Sequence, residues 1–165
     1  AYPSALLVHR LDRDTSGVMV FALSAHAQRH LGLQFEKRQS QKIYVARVMG
    51  QVEGDEGIID LPIIVDWPNR PKQKICHDTG RLAVTQWQVI NRDIKETRLK
   101  LKPQTGRSHQ LRIHMMEFGH PILGDPFYGT PECQTVSRLM LHSHRLRLRH
   151  PDGGESIEFR AKIPF

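Results

Sequence analysis

The residues most able to do chemistry lie in one short segment, HRLDRDTSG, which runs from His9 to Gly17. It places two carboxylates, Asp12 and Asp14, among arginine and hydroxyl side chains between two apolar stretches. Polar groups at this density are costly at a junction of two strands unless they serve a turn or a site. The segment is therefore a local turn in which Gly17 supplies unusual dihedral angles, a cation-binding loop, or the seat of a catalytic carboxylate.

A calcium-binding loop of the EF-hand type fits only the first half of this segment. Asp12, Asp14, Ser16 and Gly17 match the first, third, fifth and sixth positions of such a loop. The twelfth position, which needs a bidentate glutamate, is Leu23, and an apolar strand follows instead of a helix. The pattern argues against calcium and leaves the turn and the catalytic carboxylate open.

A second polar segment, Arg107, Ser108 and His109, lies where a helix is predicted to begin. The unpaired backbone donors and the positive dipole end of a helix amino terminus favour a phosphate group. Arg107 and His109 are therefore candidate phosphate-binding residues.

The ten histidines raise the question of a metal site. His109 and His114 are five residues apart, a spacing that puts them on different faces of a helix or a strand. His142 and His144 share a strand face, but no cysteine or further ligand motif completes a set. We predict no metal site and no cofactor, since a glycine-rich nucleotide loop is missing as well.

Eight apolar runs rich in valine and isoleucine predict the strands that must position these residues. The runs cover residues 6–8, 18–23, 43–48, 58–64, 82–90, 97–101, 139–148 and 156–159. Turn signals separate them, and the stretch 126–137 is irregular. Eight strands with two helices and no regular βα alternation indicate an α+β domain, built on a mostly antiparallel mixed sheet that is flanked by helices and loops.

Two predicted helices interrupt the strands. The first begins after Ser24, a good N-cap, and the second runs from about Ser108 to a C-cap at Gly119. The apolar positions expected to face inward are Ala27, Leu31 and Phe35 in the first helix, and Leu111, Met115 and Phe118 in the second.

The composition favours a polyanionic partner. Lysine and arginine number 24 against 17 aspartates and glutamates, which gives a net charge of +7, and each neutralised phosphate releases condensed counterions. The basic residues are spread along the chain, as on a folded basic surface. No apolar run approaches the roughly 20 residues that span a bilayer, so we expect a cytoplasmic protein that binds no membrane, with Cys76 and Cys133 reduced.

A length of 165 residues suffices for one hydrophobic core and is too short for two domains. We therefore predict one domain over residues 1–165, and a monomer. The chain opens on Ala1 without an initiator methionine and enters a strand almost at once. An N-terminal segment of the full-length protein is expected to be missing.

Four segments match a known pattern in the right order. HRLDRDTSG resembles the signature HRLDxxTSG of the RluA-type RNA pseudouridine synthases, and KIYVARV around Tyr44 resembles the tyrosine motif of that family. TGRSHQLRIHM, from Thr105 to Met115, resembles its arginine motif, and GHPILGD follows where the family has it. The resemblance covers nearly the whole chain and is closest to members without an S4-like domain, which act on transfer RNA and large-subunit ribosomal RNA. Family members carry a further strand and loop before HRLD, which are absent here.

The resemblance implies a catalytic domain that isomerises uridine in RNA to pseudouridine. Asp12 would be the nucleophile, attacking either the uracil ring or the anomeric carbon of the ribose. Covalent catalysis suits a reaction that breaks a carbon–nitrogen bond, turns the freed base and rejoins it through carbon. The base must first be flipped from its stack, and Arg10 is then a candidate for filling the vacated place or holding the local RNA.

Three more roles follow from the same resemblance. Tyr44 would stack on the flipped uracil and could assist proton removal from carbon 5. Arg112 would pair with Asp12, favouring its charged form and aiming it, and Ile113 would form part of the apolar wall against the base. Taken alone, Tyr44 is interpreted as a half-buried strand aromatic and Arg112 as a surface arginine of a helix.

RNA is the implied partner, and Arg107 and His109 are the further residues expected to contact it. A non-catalytic RNA-binding module is the alternative function. It explains the charge but not Asp12, because a carboxylate among arginines weakens phosphate binding. The target uridine depends on RNA shape more than on any protein motif, so the sequence does not identify it.

Overall fold

A computed structural model describes residues 4–165, which form eleven strands and two α-helices. In chain order these are β1 (Leu6–Leu7), β2 (Ser16–Gly17), β3 (Phe21–Ala22), α1 (Ala25–Glu36), β4 (Gln41–Met49), β5 (Glu56–Asp60), β6 (Ile63–Val65), β7 (Gln73–Ile75), β8 (Val84–Arg92), β9 (Glu96–Pro103), α2 (Gln110–Glu117), β10 (Leu141–Arg149) and β11 (Ser156–Arg160). Short 3-10 helices occupy Trp67–Asn69 and Pro131–Thr135. Within the described residues, no helix is long and apolar enough to cross a membrane.

A seven-stranded sheet forms the centre of the fold. Its strands lie in the order β11-β10-β4-β9-β8-β5, each antiparallel to its neighbours, and β2 pairs in parallel with β10 beside this path. Two small antiparallel pairs, β1 with β3 and β6 with β7, lie outside it. The predicted α+β class with a mostly antiparallel mixed sheet is confirmed.

Helix α1 has the predicted cap and the predicted inner face. The Ser24 hydroxyl accepts a hydrogen bond from the amide of Ala27 at 3.1 Å, as an N-cap should. Leu31 is buried against Leu146 and Leu148 of β10, and Phe35 packs at the edge of the same cluster. This packing fixes α1 at the β10 side of the sheet.

Helix α2 begins two residues later than predicted, at Gln110 instead of Ser108. The Gln110 side chain accepts hydrogen bonds from the Thr105 hydroxyl at 2.7 Å and from the Arg107 amide at 3.0 Å, which holds the intervening residues in a turn. His109 caps the helix in the left-handed region, with φ of 55°. At the other end Gly119, with φ of +85°, follows the last turn as expected of a C-terminal glycine.

Two predicted strands differ in the structure. Only β3 lies within the run 18–23, because the Val18 amide still bonds the Ser143 carbonyl of β10 whereas the Val20 amide bonds the His9 ring, so the chain leaves β10 before it joins β1. The run 58–64 is interrupted at Pro62, which has no amide hydrogen to donate. The hairpin strand β7 was not predicted, since its polar and charged residues give no apolar run.

Candidate active site

A cleft of about 500 Å³ lies between the end of α1 and the loop that precedes α2. Its floor includes Lys42 and Tyr44, which are two residues apart on β4 and therefore on one face of the strand. One wall comes from the loop between β1 and β2, including Arg10 and Asp12, and the opposite wall from residues 103–109. The segment that contains Asp12 and the segment that contains Arg107 and His109 thus face each other across one cavity.

Asp12 is part of a turn and also faces the cleft. Its backbone carbonyl accepts a hydrogen bond from the Thr15 amide at 3.0 Å, and its side chain lines the cavity while remaining 18% exposed. Asp14 does not line the cleft, and its carboxylate lies 3.6 Å from the exposed guanidinium of Arg13. The segment therefore forms a local turn and also places a carboxylate in the cleft, so the two interpretations left open by the sequence are compatible.

The end of this segment is fixed to β10. The Ser16 hydroxyl lies 2.8 Å from Nδ1 of His142 and also bonds the guanidinium of Arg138. Gly17 has φ of +118°, and a Cβ atom there would lie 2.2 Å from the Ser143 carbonyl oxygen. Only glycine fits this close approach, so the loop that carries Asp12 is held against the sheet.

Arg112 lies behind Asp12, and its principal partner differs from the one expected. Its guanidinium makes two hydrogen bonds to Asp125, Nε to Oδ2 at 2.8 Å and Nη2 to Oδ1 at 2.6 Å. The distance from Nη1 to Oδ2 of Asp12 is 3.9 Å, so the predicted pairing exists only as a longer second contact. Burial opposes the charged guanidinium, but Asp125 and Asp12 together raise the pKa of Arg112.

Asp125, the main partner of Arg112, is fully buried. Its Oδ1 also accepts hydrogen bonds from the amides of Phe127 at 2.9 Å and Tyr128 at 3.1 Å. The rings of these two residues lie 5.1 and 5.3 Å from the guanidinium carbon of Arg112. Sequence reasoning gave Asp125 no role, although the segment GHPILGD that contains it had been singled out.

Tyr44 contributes a neutral phenol to the cleft. Burial raises the pKa of Tyr44 to about 12, and the charge of Asp12 acts in the same direction against the opposing hydrogen bond with Ser143. At neutral pH the ring can stack on a base or exchange hydrogen bonds through its hydroxyl. A free phenolate, which proton abstraction by this group needs, is disfavoured.

His109 and Arg107 line the cleft from the loop before α2. Nδ1 of His109 is 2.8 Å from the hydroxyl of Tyr128, which accepts a hydrogen bond from the Gln73 amide at 2.7 Å. The pKa of His109 is lowered, chiefly by burial. Arg107 is half-buried, and its Nε donates to the Leu82 carbonyl at 3.1 Å, while Arg10 is exposed at the mouth of the cleft.

Ile113 does not lie where the resemblance implied. It is fully buried in a cluster with Ile63, Ala83 and Tyr128, and it is not among the residues that line the cleft. Two residues along a helix turn the side-chain direction by about 200°, so Leu111 faces the cavity and Ile113 faces away. The apolar side chains that line the cleft are those of Val8, Leu11, Phe35, Pro103, Leu111 and Leu141.

The sequence analysis gave no role to three basic side chains that line the cleft, those of His9, Arg38 and Lys42. Nε2 of His9 accepts a hydrogen bond from the Val20 amide at 3.0 Å, and its ring stacks on Phe35 with 4.6 Å between centroids. Burial, with a smaller effect of Lys42, lowers the pKa of His9 to about 4, so its ring is neutral at physiological pH. Lys42 could have been found from its spacing, because it lies two residues before Tyr44 and directly precedes the predicted strand 43–48.

Among residues 4–165, no group of three or more histidine, cysteine, aspartate or glutamate side chains is arranged to hold a metal ion.

Comparison with known proteins gives consistent matches. A family profile described as RNA pseudouridylate synthase matches residues 2–117. The chain is 54% identical over 166 aligned residues to the dual-specificity RNA pseudouridine synthase RluA of Yersinia pestis, covering 99% of this chain and 81% of that protein. The protein of that name from Escherichia coli K12 is 52% identical, with 99% and 76% covered.

Solved structures give the same result. The human RNA pseudouridylate synthase domain containing 1 superposes with a TM-score of 0.89 at 28% identity, covering 99% of this chain and 71% of that one. The human RNA pseudouridylate synthase domain containing 4 superposes with a TM-score of 0.81 at 27% identity, covering 97% of this chain and 72% of that one.

Proposed function

This chain belongs to the RNA pseudouridylate synthase family, and from that premise we propose that Asp12 is the nucleophile with which it isomerises uridine in RNA. One observation carries the proposal: a carboxylate lines a cleft directly in front of a buried arginine whose own charge is balanced by a second carboxylate. Attack by Asp12 on the uracil ring or on the anomeric carbon would open the route to breaking the glycosidic bond and rejoining the base through carbon.

Arg112 is a positioning residue in this proposal. Asp125 holds the guanidinium by two hydrogen bonds, and the longer 3.9 Å contact to Asp12 orients that carboxylate without saturating its oxygens. A carboxylate with free lone pairs remains able to attack. The cost of burying the arginine is met by Asp125 and by the flanking aromatic rings.

The cleft suits a base that has left its helical stack. Its volume of about 500 Å³ is in the range of small-molecule sites, and flipped bases are held by stacking and by apolar walls. We assign stacking to Tyr44 and the apolar wall to Leu111 in place of Ile113. The neutral phenol of Tyr44 would act as a hydrogen-bonding partner near carbon 5, and proton removal there would need another acceptor.

Arg10, Arg107 and His109 are proposed to contact the RNA around the flipped nucleotide, because they line the rim of the same cleft. The relatives are named for dual specificity, and we propose two substrates here, transfer RNA and large-subunit ribosomal RNA. A monomer acting in the cytoplasm, where both RNAs are present, completes the proposal.

The decisive experiment is the substitution Asp12→Asn, with Asp14→Asn as the matched control. The first keeps the side-chain size but removes the charge, so pseudouridine formation should cease while the fold and RNA binding persist. The second changes a carboxylate outside the cleft and should leave appreciable turnover. Tritium release from RNA labelled at carbon 5 of uridine measures both. Comparable rates in the two variants, with folding and absence of deamidation verified, would remove Asp12 from the mechanism.

A further inference from the structure

Lys42 is a cation at the floor of the cleft for which the proposed chemistry has no use. It lies two residues before Tyr44 on β4 and lines the cavity beside His9 and the loop before α2. The approach to that loop is close, because a Cβ atom on Gly106 would lie 3.4 Å from the Lys42 ammonium nitrogen. The ammonium therefore lies close to that loop, at the surface of the cavity.

No group of the described residues balances this charge. Across residues 4–165, the Lys42 ammonium forms neither an ion pair with a carboxylate nor a hydrogen bond. Burial lowers the pKa of Lys42, and the nearby cation Arg38 lowers it further. His9 beside it accepts a backbone hydrogen bond and is uncharged. A half-buried cation without a counter-charge is unfavourable for the folded chain alone.

An anion that enters the cleft would remove this imbalance. The anion that accompanies a uridine in RNA is the phosphodiester of its backbone. Two residues of a strand span about 7 Å, so Lys42 leaves the strand about that far from Tyr44, whose ring is assigned to the flipped uracil. This separation is of the order of one nucleotide. Glu36 also lines the cleft, but its side chain is exposed and makes no ion pair with Lys42.

We propose that Lys42 binds a backbone phosphate adjacent to the target uridine, and so fixes the register of the RNA strand in the cleft. The inference rests on the proposed function for the identity of the ligand. Lys42 contributes binding and register, and it takes no part in bond making at the base.

The first test compares Lys42→Met with Lys100→Met, using a stem-loop RNA that carries a single loop uridine. Methionine keeps most of the length of the lysine side chain and removes its charge. Lys100 is one residue from Leu101, which pairs with Tyr44, so its side chain lies on the opposite face of the sheet. Loss of one charge-assisted contact should raise the dissociation constant about tenfold, and the logarithmic salt slope should become shallower by about 0.7. Lys42→Arg should restore most of the affinity, and Lys100→Met should change it less than about twofold.

A second measurement separates phosphate binding from a structural role. Single methylphosphonates, which are uncharged, replace each phosphate flanking the uridine in turn. Wild-type affinity should fall at one position, and at that position Lys42→Met should lose nothing further. If Lys42→Met binds as tightly as wild type, or if its loss adds to that of every methylphosphonate, Lys42 binds no phosphate.

These outcomes are distinguishable from failure of the proposed function. Binding is measured without turnover, and pseudouridine formation by the wild-type chain is measured on the same RNA without methylphosphonate. Coupling at one phosphate in a chain that makes no pseudouridine from any RNA would uphold the Lys42 site and refute the function. Active enzyme without coupling would refute the Lys42 site alone. The Lys42→Met variant should unfold at the same temperature as wild type or higher, since it removes a poorly solvated charge.

Discussion

Asp125 offers the sharpest test of how the site is supported, through the substitution Asp125→Asn. Oδ1 of Asp125 accepts three hydrogen bonds, from Arg112 and from two backbone amides, and Oδ2 accepts a fourth from Arg112. An asparagine oxygen can keep the set at Oδ1, but its amide group would then point donors at the guanidinium. Arg112 would remain buried with Asp12 at 3.9 Å as its nearest carboxylate. Breaking a buried pair from one side typically costs about 3 to 5 kcal/mol, and we expect a loss in that range.

The matched control is Asp55→Asn, which breaks an ion pair of the same chemistry on the surface. Asp55 bonds Arg92 at 2.9 Å, and its side chain is 88% exposed. That loss should stay below about 1 kcal/mol. Urea unfolding at pH 7 with linear extrapolation measures both free energies. Equal losses in the two variants, or a loss below about 1 kcal/mol for Asp125→Asn, would refute the view that this buried pair supports the site. Pseudouridine formation by Asp125→Asn should also fall, because Arg112 is no longer held behind Asp12.

Three further outcomes are expected. Gly17→Ala should destabilise the fold by more than about 2 kcal/mol and abolish activity. Gly153 also has positive φ but has open space around it, so Gly153→Ala should be less destabilising and keep activity. Similar urea midpoints for the two variants would contradict the close approach of Gly17 to β10. The pKa of His9 is about 4 in the folded chain, against 6.5 for the free side chain. Between these pH values the unfolded chain binds a proton that the folded chain does not. The free energy of unfolding should therefore fall as the pH is lowered from 6.5 to 4, by up to about 2 kcal/mol after allowance for solvent screening. A His9→Gln variant should fall less over that range, and an identical pH profile would exclude His9 as a contributor. Turnover should survive exhaustive chelation with RNA folding maintained by monovalent salt, and a loss restored by one particular divalent ion would show that a metal takes part.

Much of the fold follows from local sequence signals. The apolar runs predict β4, β8, β9, β10 and β11 within a few residues of their bounds. The signal is clearest in β8 and β9, where buried and less buried residues alternate. Helix α1 follows from Ser24 and its apolar spacing. Predictions fail where the local structure depends on contacts with residues that are distant in sequence. The turn before α2 depends on the side-chain hydrogen bonds of Gln110. The shortening of the run 18–23 to β3 depends on the distant partners Ser143 and His9.

The candidate site shows the same division. Asp12, Tyr44 and Arg112 belong to motifs that a sequence displays, but the pairing of Arg112 with Asp125 depends on a turn after Asp125 that brings two amides to one oxygen. Ile113 was expected at the cleft because the family resemblance implied it, although helix geometry turns its side chain away from the cleft. The spacing of Lys42 to Tyr44 places both on one strand face, but the sequence does not show that Lys42 is partly buried without a counter-charge.

The parallel pairing of β2 with β10 sets an order on biosynthesis. The loop that carries Asp12 leaves the ribosome early, but the strand that fixes it, with His142 bonded to Ser16, is made about 125 residues later. At translation rates of about 5 to 20 residues per second, the loop waits roughly 6 to 25 seconds for its partner. A nascent chain therefore carries Asp12, the proposed nucleophile, long before its site exists, and we expect activity only when nearly all of the sheet has been synthesised.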